Sequence, residues 1–261
     1  LNGSPQGSVT VTVNKTVKGN TDKTASGDLK SEDSTKHKYH VAAVYGGGNL
    51  AGKTVGGSTN VIINGCDVSI RDVYGGGNAA EVPATDVLVN GAYEIEHVFG
   101  GGNGKDDYTL DGGTTWTTNP GANVNGNTNT LLLGGLIHEA YGGSNEKGTI
   151  TGSVSINTAA GQPADCSECP LDVEKIVGAG KNADINGDLI MVLGCKPETK
   201  TPLVFGGADN ANVNGNVELT ITSGTFGQVF GGNNLGGIIK GHILLNIEEA
   251  KIGRAVQQEC R

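Results

Sequence analysis

A six-residue string, VYGGGN, occupies residues 44–49, recurs unchanged at 73–78 and returns as VFGGGN at 98–103. Looser copies follow as AYGGSN from 140, IVGAGK from 176, VFGGAD from 204 and VFGGNN from 229, so successive copies lie 29, 25, 42, 36, 28 and 25 residues apart. Self-similarity at such a period restricts a chain to repeat architectures, in which each unit leans on its neighbours. The short spacings set the unit at about 25 residues, and the long ones mark insertions.

Between the turns, apolar residues recur at every second position, the period of a pleated strand with one buried face. The rows are Val9, Val11, Val13; Thr59, Val61, Ile63; Thr85, Val87, Val89; Thr128, Thr130, Leu132; Val154, Ile156; Leu189, Met191, Leu193; Val217, Leu219, Ile221; and Ile243, Leu245, Ile247. A short apolar-then-glycine step precedes most rows, as in NVNG at 123 and 212, TITG at 149, DING at 184 and IIKG at 238. A third segment, such as VSIRDV from 68 or YEIEHV from 93, leads back to the glycine turn. No unit shows helical spacing. Three short strands cannot bury an apolar face alone, but stacked coils, their strands roughly 4.8 Å apart, make one continuous core. The expected fold is therefore all-β: a right-handed parallel β-helix, or solenoid, with three short strands per coil, the hand following from the usual preference of parallel crossovers. Seven to eight coils would span residues 1–261 as a single domain and form a rod on the order of 35 Å long.

The turn recurs because every coil must bend at one corner where stacked neighbours leave little room. Glycine accepts positive φ and close backbone approach. The closing Asn49, Asn78, Asn103 and Asn145 tolerate left-handed geometry, and their amides can bond to the same amide one coil away; Lys181, Asp209 and Asn234 hold the place in later coils. These residues resemble the glycine-rich V-[YF]-G-G-G-N solenoid repeats of large bacterial secreted or surface-attached, adhesin-like proteins. The resemblance covers nearly the whole chain, implies a bacterial cell-surface or extracellular setting, and carries over no functional residues. The opening LNG falls mid-coil, and AVQQEC from 255 replaces the last turn, as expected of a segment of a longer array.

With 18 basic against 27 acidic residues the chain carries −9, which opposes nonspecific attraction to nucleic acid and to anionic membranes. No run of 18 apolar residues occurs and no leader precedes Leu1, so the expectation is a soluble chain without direct membrane insertion. GGGNGKDD at 100–107 resembles a calcium-binding nonapeptide loop but occurs once, and no GxxxxGK[ST] cradle is present. No cofactor is expected.

Insertions interrupt the period at 14–40, 104–121, 158–172 and 194–202. The 104–121 loop holds the single tryptophan, Trp116, either a platform for a sugar ring or a plug over the outward stripe Ile62, Leu88 and Leu131. Left uncovered, that stripe would favour self-association. Cys166, Cys169 and Cys195 lie in neighbouring insertions and allow a disulfide, free thiols or a metal site lacking its fourth ligand; Cys66 and Cys260 have no obvious partner.

Before four of the glycine turns come paired polar positions: Arg71 and Asp72, Glu96 and His97, His138 and Glu139, Glu174 and Lys175; Leu203 and Gln228 do not extend the column. They suit a salt-bridged ladder. Equally, Asp72, Glu96, His97, His138 and Glu139 are the groups a polysaccharide lyase or glycoside hydrolase would use. Tyr45, Tyr74, Phe99 and Tyr141, with Phe205 and Phe230, form an aromatic column that either stacks in the core or faces outward as a sugar-binding stripe. The expected function is a structural or adhesive module offering loops and a rigid flank to a glycan or surface protein. The alternatives are a polysaccharide-active enzyme and a passive spacer.

Overall fold

The computed structural model describes residues 7–16, 39–50, 57–104, 107, 109, 111–160, 169–194 and 200–256. The chain is all-β, with no helix among the described residues. Fourteen strands follow one another: β1 (Val9–Val13), β2 (Val41–Tyr45), β3 (Thr59–Ile63), β4 (Ser69–Tyr74), β5 (Thr85–Val89), β6 (Glu94–Phe99), β7 (Thr128–Leu132), β8 (Leu136–Tyr141), β9 (Val154–Asn157), β10 (Asp172–Val177), β11 (Leu189–Leu193), β12 (Lys200–Phe205), β13 (Val217–Phe230) and β14 (Ile243–Val256). They pair in the order β1-β3-β5-β7-β9-β11-β13-β12-β10-β8-β6-β4-β2, with β14 on β13. All these pairings are parallel, the arrangement of a β-solenoid. Odd strands make one face and even strands another, and the 14-residue β13 runs through both.

The register reproduces the alternation read from the sequence. Val11, Val61, Val87, Thr130, Ile156, Met191, Leu219 and Leu245 stack in one row, and the positions two residues to either side form parallel rows. From Thr59 to Ile221 the inward residues of these strands are at most 2% exposed. Burying a Val, Leu or Ile side chain contributes about 1.5–3 kcal/mol, so each row adds to one cooperative core. Of the three strands expected per coil, the one at the apolar-then-glycine step is reduced to single parallel bridges joining Val82, Val124, Ile150, Ile185, Val213 and Ile239 from coil to coil.

The glycine corner departs from expectation in its cause. A Cβ on Gly46, Gly75, Gly100 or Gly142 would lie 2.1–2.2 Å from the next coil's glycine carbonyl, yet none of the four has positive φ. Close approach alone excludes side chains there. No non-glycine residue among those described has positive φ, so the corner asparagines are not left-handed either. Three buried threonines in the aliphatic rows are satisfied at the same corner: Thr59, Thr85 and Thr128 donate to the carbonyls of Gly75, Gly100 and Gly142 at 2.6, 2.6 and 3.0 Å.

Candidate flank site beside the glycine corner

Each even strand turns one residue into the core and the next away from it. Val73, Val98, Ala140, Ile176 and Val204 belong to the main core, whereas their successors Tyr74, Phe99, Tyr141, Val177 and Phe205 form a separate buried cluster. The aromatic column therefore lies outside the main core and is nonetheless covered: Tyr74, Phe99 and Tyr141 are 3%, 1% and 0% exposed. Its rings stack nearly parallel, with centroids 4.8 Å apart for Tyr45–Tyr74, 5.1 Å for Tyr74–Phe99 and 4.8 Å for Phe99–Tyr141. Tyr74 and Phe99 have a ring stacked on each face, which leaves their edges and the Tyr74 hydroxyl for anything else.

Two ladders wall this column. On the turn side, Asn78 donates to Asn49 at 2.8 Å, Asn103 to Asn78 at 2.7 Å and Asn145 to Asn103 at 2.9 Å. The same amides reach the phenols: Asn103 donates to Tyr45 Oη at 3.4 Å and Asn145 to Tyr74 Oη at 3.5 Å. The ladder ends at the next coil, where Lys181 follows the turn, and the buried Asn145 Oδ1 has no hydrogen-bond partner among the described residues.

On the strand side, Ala43, Asp72, His97, Glu139, Lys175, Leu203 and Gln228 stack in register. Arg71 Nε lies 2.9 Å from Asp72 Oδ2, and His97 Nδ1 lies 2.8 Å from Asp72 Oδ1. Burial alone would raise the Asp72 pKa, but the hydrogen bonds from His97 and Arg71 hold it below its ordinary value. Glu139 accepts from Tyr141 Oη at 2.6 Å and lies 3.8 Å from both His97 Nε2 and Lys175 Nζ. Lys175 also reaches Asp209 at 3.4 Å. Beside this column His138 sits between two carboxylates, 2.8 Å from Glu94 and 2.9 Å from Glu174. Burial pushes its pKa down, and the hydrogen bonds to Glu174 and Glu94 more than reverse that, so the imidazolium is favoured. Glu96 accepts from the hydroxyl of the buried Tyr39.

Between the ladders lies a pocket of about 330 Å³ lined by Tyr45, Arg71, Asp72, Tyr74, His97, Phe99, Asn103, Asn145 and Lys181. The sequence pointed to Tyr45, Tyr74, Phe99, Asp72 and His97, which the structure brings together here. It did not single out Arg71, Asn103, Asn145 or Lys181 as lining. The signal for the last two was present, since Lys181 breaks the asparagine column directly after Asn145. Tyr141 stacks beneath this region, while Glu96, His138 and Glu139 are held in the ion-paired and hydrogen-bonded ladder.

Other expectations need correction. Trp116 is 65% exposed, and a ring so open covers little, so it is not a plug. Ile62, Leu88 and Leu131 are aligned as expected but only half-buried. Cys66 does have a partner: it forms a disulfide with Cys169, 103 residues away, with Cα atoms 5.5 Å apart. Cys169 is thereby removed from any metal set with Cys166 and Cys195, which lie outside the described residues together with Cys260. The spacing could not reveal the bridge because Cys169, three residues before β10, lies against earlier coils. The Cys169 carbonyl accepts from Gly135, and its sulfur lies 2.7 Å from where a Cβ on Gly91 would be.

A scan against protein-family models and comparisons with the curated proteins and the solved structures found no match.

Proposed function

We propose that this chain is a structural and adhesive module of a bacterial surface or secreted protein, holding a rigid flank toward a glycan or protein partner. The scaffold in this reading is a right-handed parallel β-helix of seven to eight coils, with the column of single bridges as a vestigial third strand in each. The observation that carries the function is the flank itself. One pocket lies between an aromatic stack and two hydrogen-bonded ladders, all fixed by the register of a continuous core. Such a surface binds without reorganising, which preserves affinity otherwise lost to ordering side chains. The exposed Trp116 stands on a loop that begins next to Asn103 and offers a second apolar contact. The Cys66–Cys169 disulfide supports an oxidising setting outside the cytosol.

The rival enzyme reading, a lyase or hydrolase built on Asp72, Glu96, His97, His138 and Glu139, receives less support. The carboxylates Asp72, Glu96 and Glu139 each already hold a hydrogen-bonded protein partner. A catalytic pair needs carboxyl groups facing a shared opening with one proton available for transfer. The test is incubation with a panel of acidic and neutral polysaccharides and surface glycoproteins, scored for retention and for new reducing or unsaturated ends. Retention without cleavage is expected. Cleavage would replace this reading with the enzyme, and a chain that neither retains nor cleaves any ligand would be a spacer.

A further inference from the structure

We propose that the pocket between the two ladders binds the carboxylate-bearing ring of an acidic glycan, with Lys181 and Arg71 receiving the carboxylate and Asn145 and Tyr74 receiving ring hydroxyls. This rests on the module reading and names the ligand class of its flank. The chain carries −9 overall, yet the pocket lining holds two permanent cations, Arg71 and Lys181, against one carboxylate, Asp72. Asp72 is occupied on both oxygens, by Arg71 Nε at 2.9 Å and His97 Nδ1 at 2.8 Å. The guanidinium keeps its outer N–H groups, and Lys181 has no side-chain ion pair or hydrogen bond among the described residues. A local excess of positive charge on an otherwise acidic molecule favours an anion at this one place, and a neutral ligand gains nothing from it.

The neutral groups narrow the anion. Among the described residues, Asn145 Oδ1 is a buried acceptor without a donor, and the Tyr74 phenol accepts from Asn145 while its own O–H has no acceptor. A ligand complementary to both presents hydroxyls beside its charge. Free phosphate supplies the charge but little of the hydroxyl donation, and it would leave much of a 330 Å³ pocket to water. A sugar ring bearing a carboxylate supplies both and matches the lower end of the size range of small-molecule sites. Tyr74 and Phe99, stacked on both faces, present edges here, so recognition runs mainly through polar groups and the carboxylate is its main determinant.

The experiment is calorimetric titration of the full chain with oligosaccharides of galacturonate, glucuronate and mannuronate, each beside its carboxyl-reduced neutral counterpart. At least one acidic oligomer is expected to bind, with its reduced form tenfold weaker or worse and with affinity falling as salt is raised. Lys181→Gln should weaken binding at least fivefold, Lys181→Arg should restore most of it, and Lys240→Gln, outside the pocket, should behave as the parent. Equal affinity for acid and reduced forms, or an unchanged Lys181→Gln, overturns the proposal. So does absence of binding to all three acids. Retention of a neutral glycan or a glycoprotein that is indifferent to Lys181→Gln would overturn this inference and leave the module reading standing. Retention of nothing would end both.

Discussion

The flank is built differently along its length although the core beneath it is uniform. From Tyr45 to Tyr141 the rings stack without a break, the amides Asn49 to Asn145 form a continuous ladder, and carboxylates alternate with nitrogen-bearing side chains down the strand column. From Val177 onward the stack is interrupted and resumes only as the Phe205–Phe230 pair at 5.1 Å, Lys181 and Asp209 stand where asparagines stood, and Leu203 and Gln228 follow the last charge. Val61 and Leu219, one beneath each region, are equally and fully buried. Aliphatic register thus carries the fold independently of what the flank displays. The orphaned Asn145 oxygen marks the boundary, where the periodic ladder meets a residue that cannot continue it.

That separation is most severely tested in the core. Val61→Asp and Leu219→Asp each place an unpaired carboxylate in a fully buried row, which should cost more than about 4 kcal/mol and abolish cooperative thermal unfolding followed by circular dichroism. If one region tolerates the charge and the other does not, the core is not uniform. Next is Cys66→Ser, which opens a covalent link spanning 103 residues between the first region and the segment leading into β10. A loop of roughly that length contributes about 4 kcal/mol, read as a fall in melting temperature of about 10 °C. A fall of similar size when the parent is reduced would tie the effect to the bond itself.

Gly100→Ala is expected to cost about 2–3 kcal/mol in denaturant midpoint, because the new methyl would sit 2.2 Å from the backbone carbonyl of Gly142 and no flexible side chain can yield. Gly206→Ala, where the corresponding distance is 2.5 Å, should cost less. Asn103→Ala removes the donor to Asn78 and the acceptor for Asn145, and should cost about 1–2 kcal/mol. Asn234→Ala at the far end removes one amide bond, to Asp209, and should cost measurably less. Equal losses would mean that the ladder's continuity has no energetic meaning.

The rows Val61, Val87 and Met191 were legible because period-2 alternation is the mark of a pleated strand with one buried face, and the glycine string announced the coil. The reason for that string was only half legible. Whether a glycine serves φ or close approach depends on a neighbouring coil that a single segment does not contain, and Gly75 turned out to need only the latter. The buried threonines read as members of an aliphatic row because their acceptors, the glycine carbonyls, lie 14 to 16 residues away. Asp72 and His97 were found as neighbours in a column, but a pocket is set by which side chains fall short of one another. Lys181 was visible only as an exception to a pattern. The partner of Cys66 was hidden because it lies 103 residues away, and the order of cysteines along the chain does not say which coils they meet.

The smallest effect sharpens the contrast through pH. His138 belongs to the charged stretch of the flank, and the carboxylates of Glu94 and Glu174 approach its two ring nitrogens at 2.8 and 2.9 Å, with Glu96 adding to the field. Its pKa is raised in the folded chain, so folding takes up a proton that the unfolded chain releases near 6.5. The resulting stability is fully present below that value and is lost as pH rises through the higher folded one. Asp72 works in the opposite sense: its lowered pKa adds stability above the ordinary carboxylate range that disappears as pH falls through the folded value. Urea midpoints measured between pH 5 and pH 8 should therefore decline above neutrality in the parent, and His138→Gln should flatten that decline, whereas the loss set by Asp72 falls at more acid pH. A parent whose midpoint rises across the same interval would mean that the imidazole is held neutral between its two carboxylates, and the ladder would then be hydrogen-bonded rather than ionic.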